Sequence, residues 1–273
     1  PLSHKNVLHV ANSMVDRWKM NDKDVFWDPL PMFHMSSILP FIGCSISKST
    51  FLSTIHFNPD EAIKVLIEKE VSIAFPAFPA VMVALSNHNE FTPDNLSKLR
   101  IINNVAPIET LRTFQNKVPQ ASQVSAYGLT EVGGVTSFGS PDDPLEHRLT
   151  TCGKPWPEVE IRILDPETNQ VLSNEEKGLI EIRGPHVFSG YLNDKEATKN
   201  ALSDDGWFST GDVGSLTNDG YIRYHGRIKD MLKVGGENVA ALEIEAYFDS
   251  HEKVLISQVI GIEDDHLGEV PAV

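Results

Sequence analysis

The chain has 273 residues, of which 41% are hydrophobic and 22% charged, and its formal net charge is −15. That mixture is too apolar for a disordered chain and long enough for one large domain or two smaller ones. The negative balance argues against a general nucleic-acid binder, which needs clustered Lys and Arg, so any site for an anionic ligand must be local. Cys44 and Cys152 stand far apart in no metal-ligand spacing, so no disulfide framework is expected and a reducing compartment is the default. No apolar run is long enough to span a membrane. The expectation is an intracellular protein, cytoplasmic or organellar.

In chain order, Ser3 followed by an amphipathic run to about Trp18 predicts a capped helix. Val25 to Leu30 is strand-like and runs into the turn Pro29-Leu30-Pro31. Asn58-Pro59 is a helix start, with Ala62, Val65 and Leu66 on one face. Val71 to Phe75 reads as a strand, Ala80 to Leu85 as a helix and Leu99 to Ile102 as a strand. Ile108 to Lys117 reads as a helix and Gln123 to Ala126 as a strand. This alternation predicts α/β layers around a mostly parallel sheet.

After about Pro144 the texture changes. Val159 to Leu164 and Gly178 to Arg183 alternate β-branched with polar residues, which predicts a small β-rich subdomain over about 145–226. A third texture follows Gly226: a hairpin holding Gly235-Gly236, a helix from about Ala241 to Phe248 and an apolar strand from Leu255 to Ile262. These divide the chain into a large domain over 1–227 and the start of a small α+β domain over 228–273.

The segment Ala126-Tyr127-Gly128-Leu129-Thr130-Glu131 leaves a predicted strand. At the carboxyl edge of a parallel sheet it suits a nucleotide: ring on ring, a glycine that permits close approach, a hydroxyl for phosphate and a carboxylate for Mg²⁺. Tyr-Gly alone would be an ordinary strand-exit turn. Asp212, in Ser209-Thr210-Gly211-Asp212, is fixed by a tight turn and can accept both hydroxyls of a ribose, although Gly-Asp turns are common. Gly226-Arg227-Ile228-Lys229-Asp230 would by default be a solvated loop, and Lys233 precedes the Gly235-Gly236 pair.

Together and in this order, these segments resemble the adenylate-forming superfamily of acyl-CoA synthetases, aryl-CoA ligases, beetle luciferases and peptide-synthetase adenylation domains. Pro29-Leu30-Pro31-Met32-Phe33-His34, Gly178 to Gly184, Gly190-Tyr191, Trp207 to Asp212 and Gly226 to Asn238 all match its ordered elements. Leu129 and Gly235-Gly236-Glu237-Asn238 look like the CoA-ligase branch. The resemblance implies an ATP-dependent ligase acting on a fatty or related carboxylate. The carboxylate attacks the α-phosphate of ATP to give an acyl-adenylate and pyrophosphate, and the CoA thiol then displaces AMP. Its implied small-molecule partners are a carboxylate, ATP (with Mg²⁺) and coenzyme A; no oligomeric state is implied.

Residue by residue, the resemblance implies that Tyr127 stacks on adenine beside Gly128, with Ala106 and Pro107 lining the adenine side. Thr130 bonds phosphate and Glu131 holds Mg²⁺. Asp212 accepts the ribose hydroxyls and Arg227 supports the same ribose. His34 lies near the acyl carboxylate, its alternative being a satisfied histidine packed by Met32 and Phe33. Lys229 matches a hinge, and Lys233 with Gly235 matches the thioester-forming face that the hinge turns inward. A non-catalytic nucleotide-binding protein and a luciferase-like oxygenase are the competing readings.

Two departures stand out. The family's Ser/Thr/Gly-rich phosphate loop would precede Leu2-Ser3-His4 and its catalytic lysine would follow Val273, so neither motif falls within these 273 residues. Asn103-Asn104-Val105 also replaces the more usual Gly-rich stretch before Ala106-Pro107, which alters the expected acyl pocket. Without a polyphosphate cradle and the main cationic stabiliser, the 273-residue polypeptide alone is expected to show no ATP–pyrophosphate exchange with any carboxylate. Robust exchange of labelled pyrophosphate by the purified polypeptide would contradict this.

Overall fold

The computed structural model describes residues 1–234, 237–249, 251, 253–254, 256–264 and 266–273. They form two compact units, one of residues 1–160 and 183–200, the other of residues 161–182 and 201–273. The first unit is layered α/β, as the sequence predicts. Its centre is a five-stranded, all-parallel sheet in the order β2-β1-β3-β4-β5. The strands are β1 (Val25–Asp28), β2 (Thr50–Ser53), β3 (Ile73–Ala77), β4 (Ile101–Asn104) and β5 (Ser122–Val124).

Alternation along each strand feeds two separate cores. Phe26, Ile73, Phe75, Ile101 and Val124 point to one face, where they meet Val10, Met14 and Trp18 of α1 (His4–Trp18) and Leu39 and Cys44 of α2 (Met35–Ser47). Trp27, Ala74 and Ile102 point to the other face. There they pack with α3 (Pro59–Glu68), α4 (Pro79–Ser86) and α5 (Ile108–Lys117) through Ile63, Leu66, Met82, Leu85 and Phe114.

Local chemistry starts the helices where the sequence predicts. Ser3 caps α1 in a reciprocal box with Asn6, and Asn58 caps α3 by accepting from the Glu61 N–H at 3.0 Å. Helix α2 has no counterpart in the sequence reading. Ser36, Ser37, Pro40 and Gly43 are poor formers of a helix interior, and Pro40 and Gly43 are buried. A Cβ on Gly43 would lie 2.3 Å from Met14 Cε, so glycine allows the close packing of α1 and α2.

A small three-stranded sheet, β6 (Ala126–Tyr127), β7 (Ser137–Phe138) and β8 (Lys154–Pro155), is bound to α1. The Arg17 guanidinium donates to the carbonyls of Phe138, Lys154 and Pro155 and lies 4.7 Å from the Trp156 ring centre. The helices α6 (Leu145–Thr150) and α7 (Lys195–Ala201) are short.

The second unit is β-rich. One sheet runs β12-β11-β10-β9, with β9 (Glu160–Leu164), β10 (Gly178–Arg183), β11 (Phe208–Leu216) and β12 (Ile222–Arg227). Gly178, Ile180 and Ile182 face its core while Leu179, Glu181 and Arg183 do not, as the period of two requires. The other sheet runs β14-β13-β16-β15, with β13 (Met231–Val234), β14 (Glu237–Ala240), β15 (Ile260–Asp264) and β16 (Gly268–Ala272), beside α8 (Ala241–Asp249). The expected strand from Leu255 begins later, at Ile260, and Leu255 itself lies outside the described residues. Among the described residues no helix is long and apolar enough to cross a membrane.

At the amino ends of the parallel strands, Asp24 and Arg100 form a two-pronged ion pair, Nε to Oδ1 at 2.9 Å and Nη2 to Oδ2 at 2.8 Å. Arg100 also donates to the Trp18 carbonyl, and the Ser72 hydroxyl donates to Asp24 at 2.7 Å. Burial pushes the Asp24 carboxyl up, but bonds from Arg100, Ser72 and the Asn21 N–H outweigh it and hold the group below its usual range. Asp24→Asn is expected to destabilise the unit by roughly 3 kcal/mol near neutral pH, since it strands a partly buried guanidinium. A lowered folded pKa means that the Asp24 contribution is complete above about pH 4 and lost as pH falls through the folded value. Urea melts of parent and variant should therefore converge in acid.

Candidate functional site

The carboxyl edge of the parallel sheet is where chain turns gather, and it carries the predicted site residues of the first unit. Strand β1 ends at Asp28, which is fully buried. Its Oδ1 accepts from the Leu30 N–H at 2.8 Å, within the Pro29-Leu30-Pro31 turn. Burial pushes the carboxyl up to about 7, against the lowering effect of bonds from the Leu30 N–H and the Ser37 hydroxyl. The chain then reaches His34, whose ring Nδ1 accepts from the Ser36 N–H at 3.1 Å and so caps α2. His34 is exposed, and so are Met32 and Phe33, the latter at 89%.

Strands β3 and β4 end in an irregular edge. Ala77 takes a left-handed backbone (φ 53°), uncommon for a residue with a Cβ, and its register partner is Asn104. Asn103 and Asn104 are both buried, and among the described residues the Asn104 side chain has no hydrogen-bond partner. Val105 donates to the Ala77 carbonyl at 3.0 Å, Ala106 is half-buried, and Pro107 precedes α5 and accepts from the Leu111 N–H.

Beyond β5 the nucleotide-type segment folds as a hairpin strand and a tight turn. Tyr127 lies on β6 with its ring all but buried, and its carbonyl accepts from the Thr136 N–H at 2.8 Å. A Cβ on Gly128 would stand 2.3 Å from Val135 Cα and 2.4 Å from the Gly134 carbonyl oxygen. The chain thus approaches itself closely at Gly128. This approach shapes the loop presenting Thr130 and Glu131, which sit on a 3₁₀ turn, Thr130–Val132. The Thr130 side chain is exposed and Glu131 half-buried.

The Tyr191 hydroxyl donates to Glu131 Oε1 at 2.9 Å. Burial, then the hydrogen bond and charge of Glu131, push the Tyr191 phenol up to about 12, so it remains a donor through the neutral range. The Phe188 N–H also donates to the Glu131 carbonyl at 2.7 Å. Only Gly190-Tyr191 as a matched pair points to this residue in the sequence; nothing there links it to Glu131, 60 positions away.

In the second unit, Gly211 (φ 72°) turns the chain within β11, and the Asp212 N–H donates to Thr210 Oγ1 at 3.0 Å. Asp212 and Arg227 are register partners on β11 and β12, and their side chains meet with Nε 3.2 Å from Oδ1. The carboxylate is buried and the guanidinium half-exposed. A cleft of about 360 Å³ lies beside Arg227, lined also by Lys229, Asp230, Met231 and Leu242. Lys233 stands exposed on β13, its N–H donating to Glu269 Oε2 at 2.7 Å. Gly235 lies outside the described residues. Within each unit, then, the fold assembles Tyr127, Gly128, Thr130 and Glu131 on one loop, and joins Asp212 to Arg227.

Residues 1–192 match the family model described as AMP-binding enzyme. The chain belongs to the AMP-binding enzyme family. It is 32% identical over 275 residues to the putative acyl-CoA synthetase YngI of Bacillus subtilis (strain 168), covering 99% of this chain and 50% of that protein. Among solved structures it is similar to ATP-bound MatB from Rhodopseudomonas palustris, with TM-score 0.90, 29% identity, and coverage of 99% of this chain and 53% of the other. It is similar too to o-succinylbenzoate coenzyme A synthetase (MenE) from Bacillus subtilis in complex with ATP and magnesium ion. There the TM-score is 0.87 and the identity 27%, with coverage of 99% and 55%. The chain spans about half the length of the curated relatives it matches.

In this member of the family Asp28 makes a pH-sensitive element at the sheet edge. Its folded pKa lies above the unfolded value of about 3.9, so between the two the folded state keeps a proton that the unfolded chain has released. Stability should fall as pH rises through that window. Asp28→Asn, which mimics the neutral acid, is expected to match the parent near pH 4 and exceed it at pH 8, by up to roughly 4 kcal/mol. Denaturant titrations across the range measure the difference.

Proposed function

We propose that this chain carries the nucleotide-handling part of an ATP-dependent carboxylate–CoA ligase that works through an acyl-adenylate. The carrying observation is the Tyr127–Glu131 loop, which presents a hydroxyl and a tethered carboxylate side by side next to a parallel-sheet edge. Family membership and the acyl-CoA synthetase among its relatives support the reading. ATP or AMP, Mg²⁺ and coenzyme A are the implied ligands.

The donor chemistry fits Mg²⁺. Among the described residues no group of three or more His, Cys, Asp or Glu could cage a metal. Mg²⁺ needs no cage: it is commonly held by one or two carboxylates plus substrate phosphates and water. Glu131 would hold it and Thr130 would bond a phosphate oxygen; the ion supplies charge neutralisation at the phosphates. Tyr127, Gly128, Ala106 and Pro107 would take the adenine side. Asp212 would accept ribose hydroxyls, oriented by Arg227. His34 would face the carboxylate of the acyl substrate. None of these groups needs to exchange a proton, since the work is positioning and charge stabilisation.

In the first step a carboxylate oxygen bonds to the α-phosphorus and the bond to pyrophosphate breaks. In the second, the CoA sulfur bonds to the acyl carbon and AMP leaves. Lys229, on the 3₁₀ turn Ile228–Asp230 that follows β12, would be the pivot between the steps, with 1–227 and 228–273 as the moving parts. Lys233 and Gly235 would serve the thioester step. A fatty or related acyl substrate and an intracellular location complete the proposal.

The test uses the protein as its gene encodes it, with a panel of carboxylic acids, ATP, Mg²⁺ and CoA. Thioester formation coupled to AMP release is expected. Asp212→Asn should raise the KM for ATP about tenfold or more, as expected for loss of a charged hydrogen-bond partner, and leave half-saturation by CoA unchanged. AMP binding without thioester would instead favour the non-catalytic reading, and light emission from an adenylate the oxygenase.

A further inference from the structure

We propose that Tyr191 is the positioning residue for Glu131: its phenol holds one carboxylate oxygen so that the other is presented to the divalent cation of the nucleotide. The inference rests on the proposed role of Glu131. A glutamate on a single 3₁₀ turn at a half-exposed site can swing about three side-chain torsions. Among the described residues, Tyr191 is the one hydrogen-bond donor to its carboxylate, at 2.9 Å to Oε1.

The phenol is itself held independently of that bond. The Tyr191 N–H donates to Thr198 Oγ1 at 2.9 Å, and the Phe188 ring packs edge-on at 4.8 Å. Gly190 takes φ 130°, and a Cβ there would come within 2.6 Å of Thr198 Cγ2, so glycine lets the two segments close. Upstream, Asn6 Nδ2 donates to the carbonyls of Pro185 and Val187 at 2.8 and 2.9 Å, mooring the segment to α1. The Phe188 N–H on the Glu131 carbonyl sets the height of the turn. Backbone and side chain of one residue are thus gripped from one segment. Partners that orient a metal-binding carboxylate in this way commonly change metal affinity 10–100-fold when removed.

The test is Y191F, which keeps the ring and removes the hydroxyl, in the protein as its gene encodes it. Mn²⁺ replaces Mg²⁺, and free Mn²⁺ is counted by electron paramagnetic resonance with α,β-methylene-ATP present. The Mn²⁺ dissociation constant is expected to rise about 10–100-fold, while metal-free AMP affinity and Tm stay at parent values. A Mn²⁺ constant within about twofold of the parent overturns the proposal, whichever way the other readouts move. So does a joint fall of metal affinity, AMP affinity and Tm, which marks a merely structural strap. Should Y191F fail to fold, Thr198→Val loosens the Tyr191 backbone instead. A smaller rise in the Mn²⁺ constant supports the role, and no rise overturns it. Glu131→Gln separates the two levels: unchanged Mn²⁺ affinity there sinks the role of Glu131 itself. Weakened affinity in Glu131→Gln with none in Y191F sinks only the role of Tyr191.

Discussion

All five parallel strands of the first unit begin within reach of one ion pair. Asp24 precedes β1 and Arg100 precedes β4; the Asp24 carbonyl accepts from Thr50, at the start of β2, and the Ser72 hydroxyl before β3 bonds the Asp24 carboxylate. The Arg100 carbonyl accepts from Ser122, the first residue of β5. Parallel strands cannot be set in register by hairpin turns, because each must be reached by a crossover. A polar clasp at the amino ends supplies the missing constraint. A slip of one residue in β1 would break it and turn Phe26 and Trp27 to the wrong cores.

The opposite edge is the consequence. With the amino ends pinned and both faces covered, irregular backbone is left to the carboxyl ends, where the buried polar groups Asp28, Asn103 and Asn104 and the left-handed Ala77 collect. In a sheet of this kind that is also where ligands bind. Stability and the proposed chemistry thus fall to opposite edges of one sheet, and the exposed Thr130 with the tethered Glu131 lies beyond its last strand.

Much of this was legible in the sequence, for local reasons. Caps at Ser3 and Asn58 and apolar periodicity mark α1 and α3, and Ile108 to Lys117 is found as read, because short-range rules decide those boundaries. Strand β3 lies two residues later than read, since Val71 is buried at the turn that follows α3 rather than within the strand. Helix α2 was illegible because Ser, Pro and Gly disfavour a helix interior locally, whereas its Gly43 is used for close packing on α1, which no local rule contains. The nucleotide-type motifs stand out by residue type and order. The Tyr191–Glu131 bond does not, because hydrogen bonding across 60 positions depends on the fold. Gly128 shows the converse: its need for a missing side chain is readable, but what presses against it is Val135 and Gly134.

The segment 183–200 returns to the first unit after the chain has visited the second. The bonds that fix it span 60 positions to Glu131 and 179 and 181 positions to Asn6. Contacts of such separation carry a larger loop-closure entropy than the local bonds that start the helices. On the ribosome the bonds to Asn6 must wait for residues 185 and 187 and the bond to Glu131 for residue 191, well after residues 127–131 have emerged. If Glu131 has the cation role proposed for it, its anchoring depends on a contact across 60 positions and so on the fold of the first unit rather than on the local turn.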